Sequence, residues 1–155
     1  DDKFSQILHY EVCIMSVRSE LETRLLNFAN SQVPPLAVAF EDIPFTKPDD
    51  GSGNYKAFLE CVIVPSATLN DDVSGNRTRE LGVMQVNVWV SSGKGAGVGE
   101  NIANKIIAAF PLIPAQGTVY MQQTPYKSRA IKDEAGWRIV PVTISYRQEG
   151  EVIPT

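Results

Sequence analysis

The stretch from Arg77 to Phe110 constrains the fold more than any other part of the chain. Across residues 80–90, Met84, Val86, Val88 and Val90 fall on one face, and Gln85, Asn87 and Trp89 on the other. A period of two with one apolar side predicts a half-buried strand. Ser91 to Gly99 is small and polar, with glycine at positions 93, 95, 97 and 99, and predicts a flexible hinge. Beyond it Ile102, Ile106, Ala109 and Phe110 recur at helical spacing, with Ala103 filling the same stripe. A strand, a glycine hinge and an amphipathic helix folded back on the strand make one β-α unit, to which the rest adds sheet and helix.

Upstream, Ser16 is placed to cap a helix. Val17, Leu21, Leu25 and Phe28 form its apolar stripe, widened by Leu26 and Ala29. Glu20 and Glu22 sit where the helix dipole favours negative charge, Glu20 and Arg24 are one turn apart, and Pro34-Pro35 ends the helix. Residues 36–40 predict a short strand. Residues 55–65 predict a second, whose near-continuous apolar run suggests a central position with both faces covered. Residues 66–77 read as a long polar connection between antiparallel neighbours. Pro111 and Pro114 end the second helix, and strands follow at 118–122, 128–132 and 137–147, the last two flanking a hairpin turn. Val140, Val142, Ile144 and Tyr146 share a face. Pro141 cannot donate to a ladder, so its nitrogen should face an edge or a bulge.

These elements predict an α+β fold: a single mixed, mainly antiparallel sheet with two helices on one face, in the order α-β-β-β-α-β-β-β. Residues 1–14 mix helical and strand spacing and form an N-terminal extension. Residues 15–148 make the domain, and 149–155 a frayed tail. A chain of 155 residues is long enough for one real core.

The formal net charge of −4 argues against a general binder of phosphate backbones. Cys61 lies in an apolar run and reads as a buried thiol rather than half of a disulfide with Cys13. No apolar run is long enough to span a bilayer. The opening Asp-Asp-Lys lacks the hydrophobic stretch of a signal peptide, so the expected setting is a reducing cytosol or a particle assembled there.

Candidate chemistry is sparse. Gly93-Lys94 is followed by Gly95 and Ala96, not by the Ser or Thr of a phosphate loop, and the alternating glycines miss the dinucleotide register. His9 is the one histidine, and no His/Cys cluster has metal spacing. The acidic pairs Asp49-Asp50, Asp71-Asp72 and Asp133-Glu134 sit in turn-like contexts and read as solvated loops. No cofactor or metal is expected. Arg77, Arg79, Lys127, Arg129, Lys132, Arg138 and Arg147 gather on or near strands, either as a solvent face that protects sheet edges or as partners for acidic loops of another subunit. Trp89 either packs under a loop or anchors a subunit contact.

The order and length of these segments resemble the tail terminator proteins of long-tailed bacteriophages, the minor tail protein U-like group. The resemblance runs from Met15 to Gln148. It is carried by Met15-Ser-Val-Arg-Ser-Glu-Leu21, Val88-Trp-Val-Ser-Ser-Gly-Lys-Gly-Ala-Gly97, Ile102-Ala-Asn-Lys-Ile-Ile-Ala-Ala-Phe110 and Trp137-Arg-Ile-Val-Pro-Val-Thr-Ile-Ser-Tyr-Arg147. It implies a virion structural protein, not an enzyme, assembled in the host cytoplasm and sited at the head-proximal end of the tail. Such proteins form a ring, typically a homohexamer, that caps the tail tube, stops its polymerisation and meets the head connector. DNA passes through without specific binding, and no membrane is involved. On that basis Asp49, Asp50, Asn70, Asp71, Asp72 and Asn76 are candidate tube- or lumen-facing positions. Arg77, Arg79, Trp89, Lys127, Arg129, Trp137 and Arg138 are candidate subunit contacts. The alternatives are a head-tail connector or neck protein and, from a different class, a small ligand-binding module using the glycine-rich loop.

Overall fold

The computed structural model describes residues 16–49, 51, 55–70, 77–133 and 135–151; the expected N-terminal extension lies outside them. Helix α1, Val17–Ser31, begins where expected, and Ser16 Oγ accepts from the Ser19 N–H at 3.1 Å. That contact satisfies one of the orphan donors of the first turn. Gln32 is already extended (φ −76°, ψ 155°), and Val33, next in the chain, is the residue restricted by Pro34. The buried stripe is Val17, Leu21, Leu25 and Ala29, with Phe28 partly covered. Leu26 points outward, so the stripe is narrower than predicted.

Among the described residues the sheet has seven strands: β1 Ala37–Ala39, β2 Phe58–Asn70, β3 Arg77–Ser91, β4 Val119–Met121, β5 Tyr126–Lys127, β6 Ile131–Asp133 and β7 Trp137–Glu151. Helix α2, Gly97–Ala109, connects β3 to β4. The spatial order is β1-β2-β3-β7-β4, with β5 and β6 pairing the same outer side of β7. Only β1 and β2 are parallel, so the sheet is mixed and mainly antiparallel as predicted.

Four details differ from expectation. The centre belongs to β3 and β7, which pair over their whole lengths from Arg77↔Glu151 to Ser91↔Trp137. β2 meets only the three residues of β1 on its other side, and Val64 is 58% exposed. Its apolar run therefore does not have both faces covered. The expected connection 66–77 is strand at 66–70 and at Arg77, because β2 continues past a register shift between Pro65 and Thr68 to Asn70, opposite Thr78; residues 71–76 lie outside the described residues. A short strand, β5, was not anticipated, and β7 pairs through Glu151, so the tail starts later than residue 149. Pro141 sits in a central strand. Its carbonyl accepts from the Ser128 N–H at 2.9 Å, in the gap between β5 and β6. The N and carbonyl of one strand residue point to the same side, so the missing N–H falls on that interruption.

Both helices pack on one face of the sheet. The core joins Leu21, Leu25 and Ala29 of α1, Ala103 and Ile106 of α2, and Phe110 to Leu59, Cys61 and Ile63, Met84 to Val90 at alternate positions, and Val140, Val142, Ile144 and Tyr146. Each such side chain taken from water contributes roughly 1.5–3 kcal/mol. Gly99 lets α2 sit close, since a Cβ there would meet Val140 Cγ2 at 2.8 Å. The predicted helix stripe is rotated slightly: Ala109 is exposed, and Ile107 packs against the core. Burial pushes the Cys61 thiol up to about 12, so it stays protonated and unreactive at neutral pH.

Two carboxylates tie the periphery to this core. Glu20, 9% exposed, accepts from Arg24 Nη2 at 2.8 Å, the Thr118 N–H at 2.7 Å, Thr118 Oγ1 at 3.2 Å and the Val119 N–H at 3.4 Å. It thereby joins α1 to the segment entering β4. Gly117, at φ +97°, leaves the room, for a Cβ there would fall onto the Glu20 carboxylate. Glu41 accepts from the Ile63 N–H at 2.6 Å, just past the end of β1, and pairs with Arg18 Nη1 at 3.2 Å. It caps the β2 edge where, among the described residues, no strand covers it.

Candidate functional site

The second sheet face carries neither helix. Strand alternation and cross-strand register place on it Phe58, Glu60, Val62 and Val64 of β2, Val83, Gln85, Asn87 and Trp89 of β3, and Trp137, Ile139, Pro141 and Thr143 of β7. At one end an aromatic cluster forms. Trp89 stacks on Phe58 at 5.3 Å, Tyr55 stacks on Trp137 at 4.3 Å, and the two tryptophans meet edge to face at 5.9 Å. The segment 41–49 lies across them: Phe45 contacts Phe58 at 5.1 Å, and Lys47 Nζ stands 4.6 Å over the Trp89 ring. A cation over an indole face is attracted by the ring quadrupole. Trp89 Nε1 is buried with no acceptor among the described residues. Next to the cluster runs a polar ladder, in which Asn87 donates to Glu60 at 2.8 Å and Gln85 to Asn87 at 3.0 Å. Beyond it Val64, Tyr126 and Ile131 are exposed.

A groove of about 670 Å³ opens at the same end of the sheet, between the end of α1 and the first turns of α2. Its walls are mainly apolar: Val33, Leu36, Ala57, Val90, Val98 and Ile102. Its charged lining residues are Lys56, Lys94 and Lys105, with no carboxylate. None of the three is in an ion pair among the described residues. Lys94 belongs to the glycine-rich loop, where Gly93 and Gly95 adopt φ of +91° and +89°. Those left-handed positions suit glycine. Arg138 Nη1 donates to the Ala96 carbonyl at 3.0 Å, which pins the loop to β7. The expected hinge is thus a tethered turn whose lysine faces a groove.

The predicted site residues fall in three places. Asp49 is exposed and accepts from the Gly51 N–H at 2.9 Å, closing a tight turn. Asp50, Asp71, Asp72 and Asn76 lie outside the described residues. Asn70 and Arg77 end β2 and begin β3 at the pole of the sheet opposite the groove, with Arg79 two residues further in. Trp89 and Trp137 belong to the aromatic cluster, where Trp137 is buried. Lys127 Nζ donates to Asn104 Oδ1 at 2.9 Å, tying β5 to α2. Arg138 holds the glycine-rich loop, and Arg129 is exposed. Phe45, Lys47 and Tyr55 completed the cluster without being singled out. A usable signal was present, since Phe58, Trp89 and Trp137 all fall on the sheet face that also carries the polar Glu60, Gln85, Asn87 and Thr143. Among the described residues no group of three or more His, Cys, Asp or Glu side chains is placed to hold a metal ion.

The fold and these surfaces define a small α+β domain whose distinctive features are an open sheet face and an apolar groove flanked by lysines. The sequence model of one protein family, described as phage tail terminator protein, matches residues 16–146, and the chain belongs to that family. It is a structural component of a phage tail that interacts with other tail proteins. A solved structure with 26% sequence identity superposes with a TM-score of 0.67, covering 90% of this chain and 96% of that one. No match was found among curated proteins.

Proposed function

We propose that the protein forms a ring on the head-proximal end of the tail tube, where it stops tube polymerisation and offers the joining surface for the head connector. The role is architectural, without a catalytic step. The observation that carries this reading is the extent of the family match, which runs from the cap of α1 through Tyr146 of β7 and so takes in the helix layer and nearly the whole sheet. A rotational ring needs two different patches on each subunit. The groove and the pole where β2 ends and β3 begins lie at opposite ends of the long strands and are two such patches.

In this reading Trp89, Trp137, Lys127 and Arg138 act within the subunit, setting the shape of the contact surfaces. In the same reading Arg77, Arg79 and Arg129 make contacts between subunits. The turns around Asp49-Asp50 and Asp71-Asp72 face the tube or the bore, where like charge keeps passing DNA from adhering. The test is negative-stain electron microscopy of the protein mixed with polymerising tube protein. A ring at one end of each tube, with tube growth arrested, is expected. Unchanged growth with no ring refutes the reading, and capture by connector protein alone assigns the chain to the neck instead.

A further inference from the structure

We infer that the lysine-flanked groove between α1 and α2 receives residues 152–155 of a neighbouring copy of this chain, with the Glu149 and Glu151 end of that copy's β7 at its rim. The inference rests on the ring reading and supplies its subunit contact.

The chemistry matches on both sides. β7 ends in Glu149-Gly-Glu151, whose Glu149 also pairs with Arg147 Nη1 of its own strand at 3.6 Å, and Val152-Ile-Pro-Thr155 follows: two carboxylates, then two β-branched apolar residues. The groove offers apolar walls, including Val33, Val98 and Ile102, flanked by Lys56, Lys94 and Lys105. In a chain of net charge −4, a concave surface whose charges are all positive selects an acidic occupant. Val33 is 97% exposed and Val98 43% exposed, so apolar area remains to be covered. Ion pairs at the rim set partner and register more than they add affinity, and burial of the valine and isoleucine supplies the attraction.

Geometry decides between the chain's own segment and a neighbour's. The groove lies at the Ser91↔Trp137 end of the β3–β7 ladder, and the segment leaves at the Arg77↔Glu151 end. The strand between them spans on the order of 46 Å at the usual rise. Residues 152–155 extend at most roughly 14 Å. The segment therefore cannot fold back into its own groove. Docking in a neighbour is heterologous, head to tail, and a repeated heterologous contact closes into a ring when the rotation allows.

The test uses the full chain on a Cys13→Ser background, which leaves Cys61 as a buried thiol. Val98→Cys and Ile153→Cys are combined and the protein is oxidised mildly in the presence of tail tubes. A ladder of intermolecular disulfides rising to the ring size is expected. A purely intramolecular product, or no disulfide while microscopy shows intact rings, overturns the inference. In parallel, Lys94→Glu/Lys105→Glu and Glu149→Lys/Glu151→Lys should each weaken ring assembly at least tenfold, and their combination should restore it. Rings that survive either pair of substitutions, or that are lost on removing residues 1–15 but not 152–155, overturn the docking and leave the ring reading standing. Absence of rings from the wild-type protein fails the ring reading itself, and the docking with it.

Discussion

Replacing Glu20 by alanine removes the one acceptor shared by α1 and the segment leading into β4. Four donors lose it: Arg24 Nη2, the Thr118 N–H, Thr118 Oγ1 and the Val119 N–H, at 2.8, 2.7, 3.2 and 3.4 Å. Leaving one partner of a buried ion pair uncompensated costs about 3–5 kcal/mol. The low end applies here, because Arg24 keeps a second acceptor, the Gln116 carbonyl at 3.1 Å, and retains 17% side-chain exposure. The stranded Thr118 N–H has no such relief and carries a penalty of about 1–3 kcal/mol within that total. A loss of about 3 kcal/mol corresponds to a fall in Tm of roughly 6–12 °C for a domain of this size. Glu20→Gln keeps an acceptor but not the charge and should lose about 1–2 kcal/mol. Urea denaturation of both variants, at a concentration low enough to keep the protein monomeric, measures the two values. A Glu20→Ala variant within about 0.5 kcal/mol of wild type would refute the reasoning, since substitutions of that size are typical of surface positions without a role.

The other predictions concern the edge, the close helix approach and the buried thiol. The Ile63 N–H, and then Arg18, hold the Glu41 carboxyl below the ordinary carboxylate range. A depressed folded-state value gives stability that is present above the unfolded value and lost as pH falls through the folded one. Thermal unfolding of wild type should therefore lose ground relative to Glu41→Gln as the pH drops through and below that range, and parallel curves would contradict the edge cap. Gly99→Ala should cost about 1–3 kcal/mol by lifting α2 off Val90 and Val140, measured by thermal melts. With Cys13 replaced by serine, Cys61 should resist thiol reagents at pH 8 until the protein is denatured, because it is buried and its thiol is pushed up to about 12. Prompt reaction of the folded protein would show the core to be more open than described.

The β-α unit was legible because each of its positions has one job. Met84, Val86, Val88 and Val90 meet only the helix layer, while Gln85 and Asn87 meet only the polar ladder, so alternation in sequence maps directly onto the two sheet faces. β2 was misjudged for the opposite reason. Val62 and Val64 are apolar yet lie on the open face, and a continuous apolar run does not distinguish coverage by a helix from an unfilled surface. The strand-forming part of 66–77 was hidden by polar residues such as Ser66, Thr68 and Asn70, which break the apolar run of 58–64. The groove had no sequence signature, because it is assembled from separated segments: 32–37, 48, 55–57, 90–94 and 98–105. The charged positions were found, but their geometry was not. Lys127 and Arg138 turned out to brace α2 and its leading loop, whereas Lys94 was weighed only as part of a phosphate loop, and Lys56 and Lys105, being scattered in sequence, attracted no notice.

The central claim is that this tail protein works as a closed ring on the tube. Electron microscopy of purified protein with tubes assembled in vitro measures it directly, with tube length recorded as protein is titrated in. The account predicts one annular density of rotationally repeated subunits at a single end of each tube, and a growth rate that falls to zero as the ends fill. Bare ends on tubes that keep growing at saturating protein would contradict it.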